Sequence, residues 1–145
     1  MHVDNVNINV TLVNMPILTA LLLSAAPMLE VTITGLHSDR GDVRIAIFSS
    51  ADGWPQDDAR AVRRAILHID HGKAVLRVEG LAPGRYAAAA FHDEDGDGKL
   101  TKGAFGIPKE GWGASNGARD TFGPSFADAT FEVKADTRIT FAIGY

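Results

Sequence analysis

The chain has no cysteine in its 145 residues. Disulfide staples, thiolate catalysis and cysteine metal sites are therefore excluded, although the compartment is not fixed by that absence. No Lys or Arg precedes Arg40, and the later ones are scattered, which argues against a polybasic membrane patch. The net charge of −4 gives no electrostatic footprint for nucleic acid. No apolar run is long enough to span a bilayer. There is no internal repeat, no low-complexity tract and almost no helical periodicity. Ser49, Ser115 and Ser125 lie in no nucleophile-elbow pattern, and no Asp/Glu pair stands out for glycosidic chemistry.

What remains is enough for one domain: 46% hydrophobic and 22% charged residues in a chain of ordinary domain length. The longest apolar run is Ile17–Ala26, about ten residues, the length of a signal-peptide core. Ser24 and Ala26 supply a small-x-small cleavage pattern, although Pro27 follows and no basic residue precedes the run. Met15 stands directly before it and is an alternative start. A second reading makes Val6–Val13 an edge strand. We expect an export signal over 1–26, a periplasmic or secreted location, and one domain over 27–145.

The domain carries strand-like alternation. Val31 and Ile33, then Val43, Ile45 and Ile47, then Ala74, Leu76 and Val78 each alternate with polar or small residues. Arg85–His92 has strand length, and its four alanines, Ala87 to Ala90, predict close layers on both faces. Ala129, Phe131 and Val133, then Ile139, Phe141 and Ile143, give two final strands. Pro55 followed by Gln56, Asp57 and Asp58 suits the start of a short helix, expected to run to about Val62 and then give way to a strand. Tyr86, just after Leu81-Ala82-Pro83-Gly84, is either a corner tyrosine with its hydroxyl on nearby backbone or an ordinary core tyrosine. Asp93–Phe126 is rich in glycine and lacks periodicity, a length of loop usually tied to function. The expectation is an all-β protein: about seven strands in an antiparallel Greek-key β-sandwich.

One stretch has the spacing of a cation site. His92-Asp93-Glu94-Asp95-Gly96-Asp97-Gly98-Lys99-Leu100-Thr101 places Asp at loop positions one, three and five and Gly at six. That is the front half of an EF-hand-type calcium loop. Asp93, Asp95 and Asp97 would give carboxylates, Lys99 its backbone carbonyl at position seven, and Thr101 an oxygen at nine. Leu100 at eight is apolar and packs. Position twelve, usually a bidentate Glu, is Ala104, and no helix pattern follows. Glu110 is the nearest downstream carboxylate, with Asp120 and Asp128 further off. So incomplete a shell predicts affinity in the roughly 10⁻⁴ to 10⁻³ M range of extracellular modules. Magnesium, which keeps its waters, fits less well. The competing reading is a solvated acidic turn; the Gly at six and Leu at eight favour calcium. His92 suits a structural hydrogen bond better than a calcium ligand, and His68 and His71, three apart, make a weak zinc signal. Trp112, between glycines, is either a stacking platform or a plug. Together with Asn116 and His92 it is a candidate ligand-binding residue.

The stretches Gly80–Ala87, Phe91–Leu100, Phe105–Asn116 and Phe122–Ala129 resemble a bacterial family of exported proteins known as domain of unknown function 2141. The resemblance implies a secreted or periplasmic β-sandwich, similar in outline to the transthyretin-like and collagen-adhesin B-type domains that often hold calcium in such loops. Family members often carry Asp where this chain has Thr101, which implies a weaker site here. The expected function is a calcium-binding, non-enzymatic module whose long loop binds a glycan, a peptide or another envelope protein, with no integral membrane span. A hydrolase using the loop carboxylates and a metal-free assembly module are the alternatives.

Overall fold

In the computed structural model, which describes residues 25–120 and 123–145, the alternating segments become strands. They are β1 (Met28–Thr34), β2 (Asp42–Phe48), β3 (Arg63–Leu67), β4 (Ala74–Glu79), β5 (Gly84–Asp93), β6 (Trp112–Ala114), β7 (Phe131–Val133) and β8 (Thr137–Ala142). One sheet has the order β4-β1-β8; the other runs β3-β2-β5-β6, with β7 pairing the start of β5. Leu29, Val31 and Ile33 of β1 face Val43, Ile45 and Ile47 of β2 and Tyr86, Ala88 and Ala90 of β5 across one buried core. Burial of one face of each sheet against the other drives the layering. The signal-peptide segment expected over 1–26 lies almost wholly outside the described residues.

The antiparallel expectation holds at every strand pair but one among the described residues. β1 and β8 run parallel, with Val31 beside Ile139 and Ile33 beside Phe141. Parallel neighbours need a crossover rather than a hairpin, and the chain supplies it by leaving β7 in one sheet and entering β8 in the other.

Two further expectations are corrected. The helix expected from Pro55 to Val62 is a single 3₁₀ turn, Asp58–Arg60. It ends because the Val62 N–H is taken by the Ile47 carbonyl at 2.8 Å, so sheet pairing outcompetes helical propensity. The strand expected from Ala129 begins at Phe131, because Phe126–Ala129 forms one helical turn capped by Ser125. No helix of the described residues is long and apolar enough to cross a membrane.

The alanine-rich β5 behaves as its composition suggests. Ala88 and Ala90 enter the main core, while Ala87, on the opposite face, packs with Ala114, Ala118 and Ala129 in a second cluster beside Trp54 and Phe126. Trp54 is a plug there, edge-on to Phe48 and Phe126, with its indole N–H on the Pro124 carbonyl at 2.7 Å. Tyr86 is a corner tyrosine: its hydroxyl donates to the Ala82 carbonyl at 2.5 Å.

The glycine-rich segment is more ordered than its lack of periodicity suggests. Thr101–Lys109 doubles back as a finger, with the Lys109 N–H on the Thr101 carbonyl at 2.8 Å and the Gly103 N–H on the Ile107 carbonyl at 2.7 Å. Phe105 at its tip is fully exposed. β6 then joins β5, and Trp112 exchanges two 3.0 Å backbone bonds with Gly144, stitching the sheets together. Gly113 allows this approach: a Cβ there would lie 2.3 Å from the Ala142 carbonyl oxygen. Gly113→Ala should therefore lower stability by about 1–3 kcal/mol, the cost of overpacking. Gly96 has φ 75°, and a Cβ there would meet no atom within 4 Å, so Gly96→Ala should cost only about 1 kcal/mol of backbone strain. Urea unfolding of the two variants checks the order.

Candidate metal centre

The alternation of β5 continues to its last residues and sorts them onto two faces. His92, like Ala88 and Ala90, turns inward; Asp93, like Phe91, turns outward. Arg44 of β2 lies opposite Phe91 in the register, so it shares the outward face with Asp93. Asp93 is fully buried. Its Oδ2 accepts from Arg44 Nε at 2.5 Å and from the Gly98 N–H at 2.9 Å, and its Oδ1 accepts from the Gly96 N–H at 3.0 Å.

The loop curls around this carboxylate. Gly98 has φ 79°, the left-handed conformation that position six of such a loop requires. The Gly98 position also faces the guanidinium: a Cβ there would lie 3.3 Å from Arg44 Cζ. Asp95 Oδ1 accepts from the Asp97 N–H at 3.1 Å, and Asp97 Oδ1 from the Lys99 N–H at 2.8 Å. One carboxylate oxygen from each of Asp93, Asp95 and Asp97 lies within 4.8 Å of the other two. Burial alone would raise the Asp93 pKa. The Arg44 hydrogen bond, the Gly98 N–H, the Arg44 charge and the contact with Asp95 outweigh it and hold the carboxyl below its ordinary value.

Glu110 works at the neck of the loop. Oε1 accepts from the Glu94 N–H at 3.1 Å and Oε2 from the Thr101 N–H at 2.9 Å, so one carboxylate ties both ends together. It is not among the convergent oxygens of the three aspartates. Thr101 lines a cavity of about 340 Å³ with Asp95, Glu94, Glu110, Lys109, Arg40 and His37, and its hydroxyl is buried without a partner.

The inward face holds a second group. His92 is fully buried; its Nε2 lies 2.6 Å from the Arg40 carbonyl and its Nδ1 2.6 Å from the Tyr145 hydroxyl. The His37 ring stacks on Tyr145 at 3.8 Å, and its Nε2 meets Glu94 Oε1. Burial raises the Tyr145 pKa, the His37 N–H opposes that, and the Glu94 charge adds to it; the hydroxyl stays a donor.

Of the other candidate ligand-binding residues, Asn116 bonds to backbone and Trp112 lines a groove. The Asn116 amide donates to the Asp128 and Thr130 carbonyls at 3.1 and 2.8 Å. Trp112 is half-buried, with the Arg119 guanidinium 4.6 Å from its ring centroid. It does line a groove of about 1320 Å³ on the outward face, with Trp54, Phe91, Arg44 and Leu100. Ser115 is buried, donating to Ala129 O and accepting from Ala88 N. His68 and His71 are exposed. Arg44, His37 and Tyr145 carry no mark in the sequence. Arg44 becomes visible only once the β2–β5 register is known; nothing in the spacing points to the other two.

Residues 31–140 match the family described as uncharacterized protein conserved in bacteria (DUF2141), and the chain belongs to it. No curated protein and no solved structure matches the chain.

Asp93 has a depressed folded pKa, so its stabilisation is fully present above the unfolded value of about 3.9 and is lost as pH falls through the lower folded value. Asp93→Asn should be less stable than the parent at neutral pH, and the gap should narrow below about pH 4; denaturant midpoints against pH measure this. Glu110→Gln leaves one of two backbone N–H groups without its carboxylate acceptor and should cost about 1–3 kcal/mol. Hydrogen exchange at Glu94 and Thr101 should speed up together in that variant.

Proposed function

We propose that this family member is an exported, calcium-binding β-sandwich module, non-enzymatic, whose glycine-rich segment offers a ligand or partner surface at the cell envelope. The observation that carries it is the convergence of the Asp93, Asp95 and Asp97 carboxylate oxygens within 4.8 Å, around a glycine turn of the required hand. Calcium prefers hard oxygen donors in a flexible shell, and these donors fit. The Lys99 carbonyl and water complete the shell in this reading. Glu110 contributes by closing the loop's neck, in place of a twelfth-position ligand. Arg44, already on Asp93, opposes a second cation and keeps affinity low, in line with the roughly 10⁻⁴ to 10⁻³ M of extracellular modules.

Export rests on the Ile17–Ala26 run and on the family resemblance. We read the sandwich as a Greek key of immunoglobulin-like or transthyretin-like type, supported by links that change sheet after β1, β3, β4 and β7. The partner surface is the outward groove with Trp112 and Trp54, extended by the finger whose Phe105 and Ile107 are exposed. An apolar groove beside exposed apolar side chains is the kind of surface that takes a partner, here a glycan, a peptide or an envelope protein. A hydrolase reading has one observation of its own: the cavity beside the loop joins His37, Glu94, Asp95 and Glu110. Hydrolysis of a chromogenic ester or glycoside lost in Glu94→Gln would favour it.

Calorimetry should show saturable calcium binding at millimolar concentration, abolished by Asp95→Ala and by Asp97→Ala. Calcium at 100 times its dissociation constant should stabilise the parent by about 2.7 kcal/mol. No saturable heat from the parent would contradict the calcium reading.

A further inference from the structure

We propose that His37, His92 and Glu94 form a second metal site, selective for a divalent transition ion of the zinc type, on the inward face at the end of β5. This site uses none of the three loop aspartates. His37 Nε2, a His92 ring nitrogen and a Glu94 oxygen lie within 4.8 Å of one another. Two imidazoles and one carboxylate are a donor set that zinc takes, with a fourth position left open; calcium, which prefers oxygen, would not select it.

The tautomer of His92 is fixed by its surroundings. A backbone carbonyl only accepts, so the Nε2 that sits 2.6 Å from the Arg40 carbonyl must carry the proton and donate. In the neutral ring Nδ1 is then a lone pair. It accepts the Tyr145 hydroxyl at 2.6 Å, and Nδ1 lies 3.4 Å from Glu94 Oε1. An N–H donated to a backbone carbonyl is the outer-shell bond that metal-binding histidines commonly make.

The other two donors are held as firmly. Stacking on Tyr145 fixes the plane of the His37 ring. Gly111 makes room for that tyrosine, since a Cβ there would lie 2.4 Å from Tyr145 Cε1. Glu94 is anchored through its own N–H on Glu110. His92 is buried while His37 is half-exposed, so the site is rigid on one side and open on the other. The opening meets the 340 Å³ cavity, where Arg40 and Lys109 stand. On binding, the ion takes the Nδ1 lone pair from the Tyr145 hydroxyl and replaces any proton shared by His37 and Glu94, which leaves to solvent.

The test uses the full chain stripped of metal with a chelator. Zinc titration by calorimetry should give one saturable site, and cobalt substituted there should show the visible absorption of a low-coordinate nitrogen–oxygen shell. His37→Ala, at a half-exposed position, should keep its melting curve and lose zinc affinity by at least about tenfold, since even outer-shell losses cost that much. Glu94→Gln should lose affinity likewise. Asp97→Asn, in the calcium loop, should bind zinc as the parent does. Absence of saturable zinc binding by the parent overturns the proposal. So does a His37→Ala variant that binds zinc unchanged, or an Asp97→Asn variant that loses the binding.

Discussion

A carboxylate with no exposure to water organises this end of the molecule. Asp93 ends the central strand, is buried, and stays charged because Arg44, Gly96 and Gly98 all donate to it. An isolated buried charge is far too costly to persist, so the loop is obliged to curl until its N–H groups reach those oxygens. The acidic loop's shape follows from that demand. Glu110 then clamps the two ends, and the finger between Thr101 and Lys109 is what carries Glu110 back into place. Removing one partner of a fully buried ion pair costs about 3–5 kcal/mol. Arg44 keeps 30% of its side-chain surface in water, so the pair here belongs below that range.

The end of β5 and the loop after it supply two unlike sets of donors, with His92 and Asp93 on opposite faces of the strand. Asp93, Asp95 and Asp97 bring three carboxylate oxygens together, and His37, His92 and Glu94 bring two imidazoles and a carboxylate together. Hard and borderline cations prefer those two sets respectively. Neighbouring residues thus face different chemistry while sharing one backbone, and the Glu94 N–H bond to Glu110 couples the two sides mechanically.

The sheet-forming segments are legible in the sequence because alternation is a local signal. Val43, Ile45 and Ile47 declare an inward face without help from any distant residue, and the Pro83-Gly84 turn declares itself by turn chemistry, although whether Tyr86 caps a corner or only fills the core is not legible there. The aspartate spacing is equally plain. Features that depend on pairing are not legible. Asp58–Arg60 stops as one turn because Val62 pairs with Ile47, far upstream in the chain, and three-residue β6 is too short to show a period. Glu110 reads from sequence as a partner of the loop, yet its place on backbone N–H groups depends on how the finger folds. Arg44, His37 and Tyr145 reach the site from three separate elements, and only the β1–β2 turn, the β2–β5 register and the path after β8 bring them there. Gly41 shows how tight that assembly is: a Cβ there would fall 2.0 Å from the Asp93 carbonyl oxygen.

Asp93 is a buried charge that Arg44 balances from within, and in the proposed reading calcium would add to that balance from outside. The most direct measurement is the melting temperature of Arg44→Gln in chelator and in millimolar calcium, beside the parent. The expected result is a marked fall in chelator and a calcium-induced recovery larger than the rise seen in the parent. A variant that melts with the parent in chelator, or a fall that calcium leaves untouched, would contradict this role for Asp93.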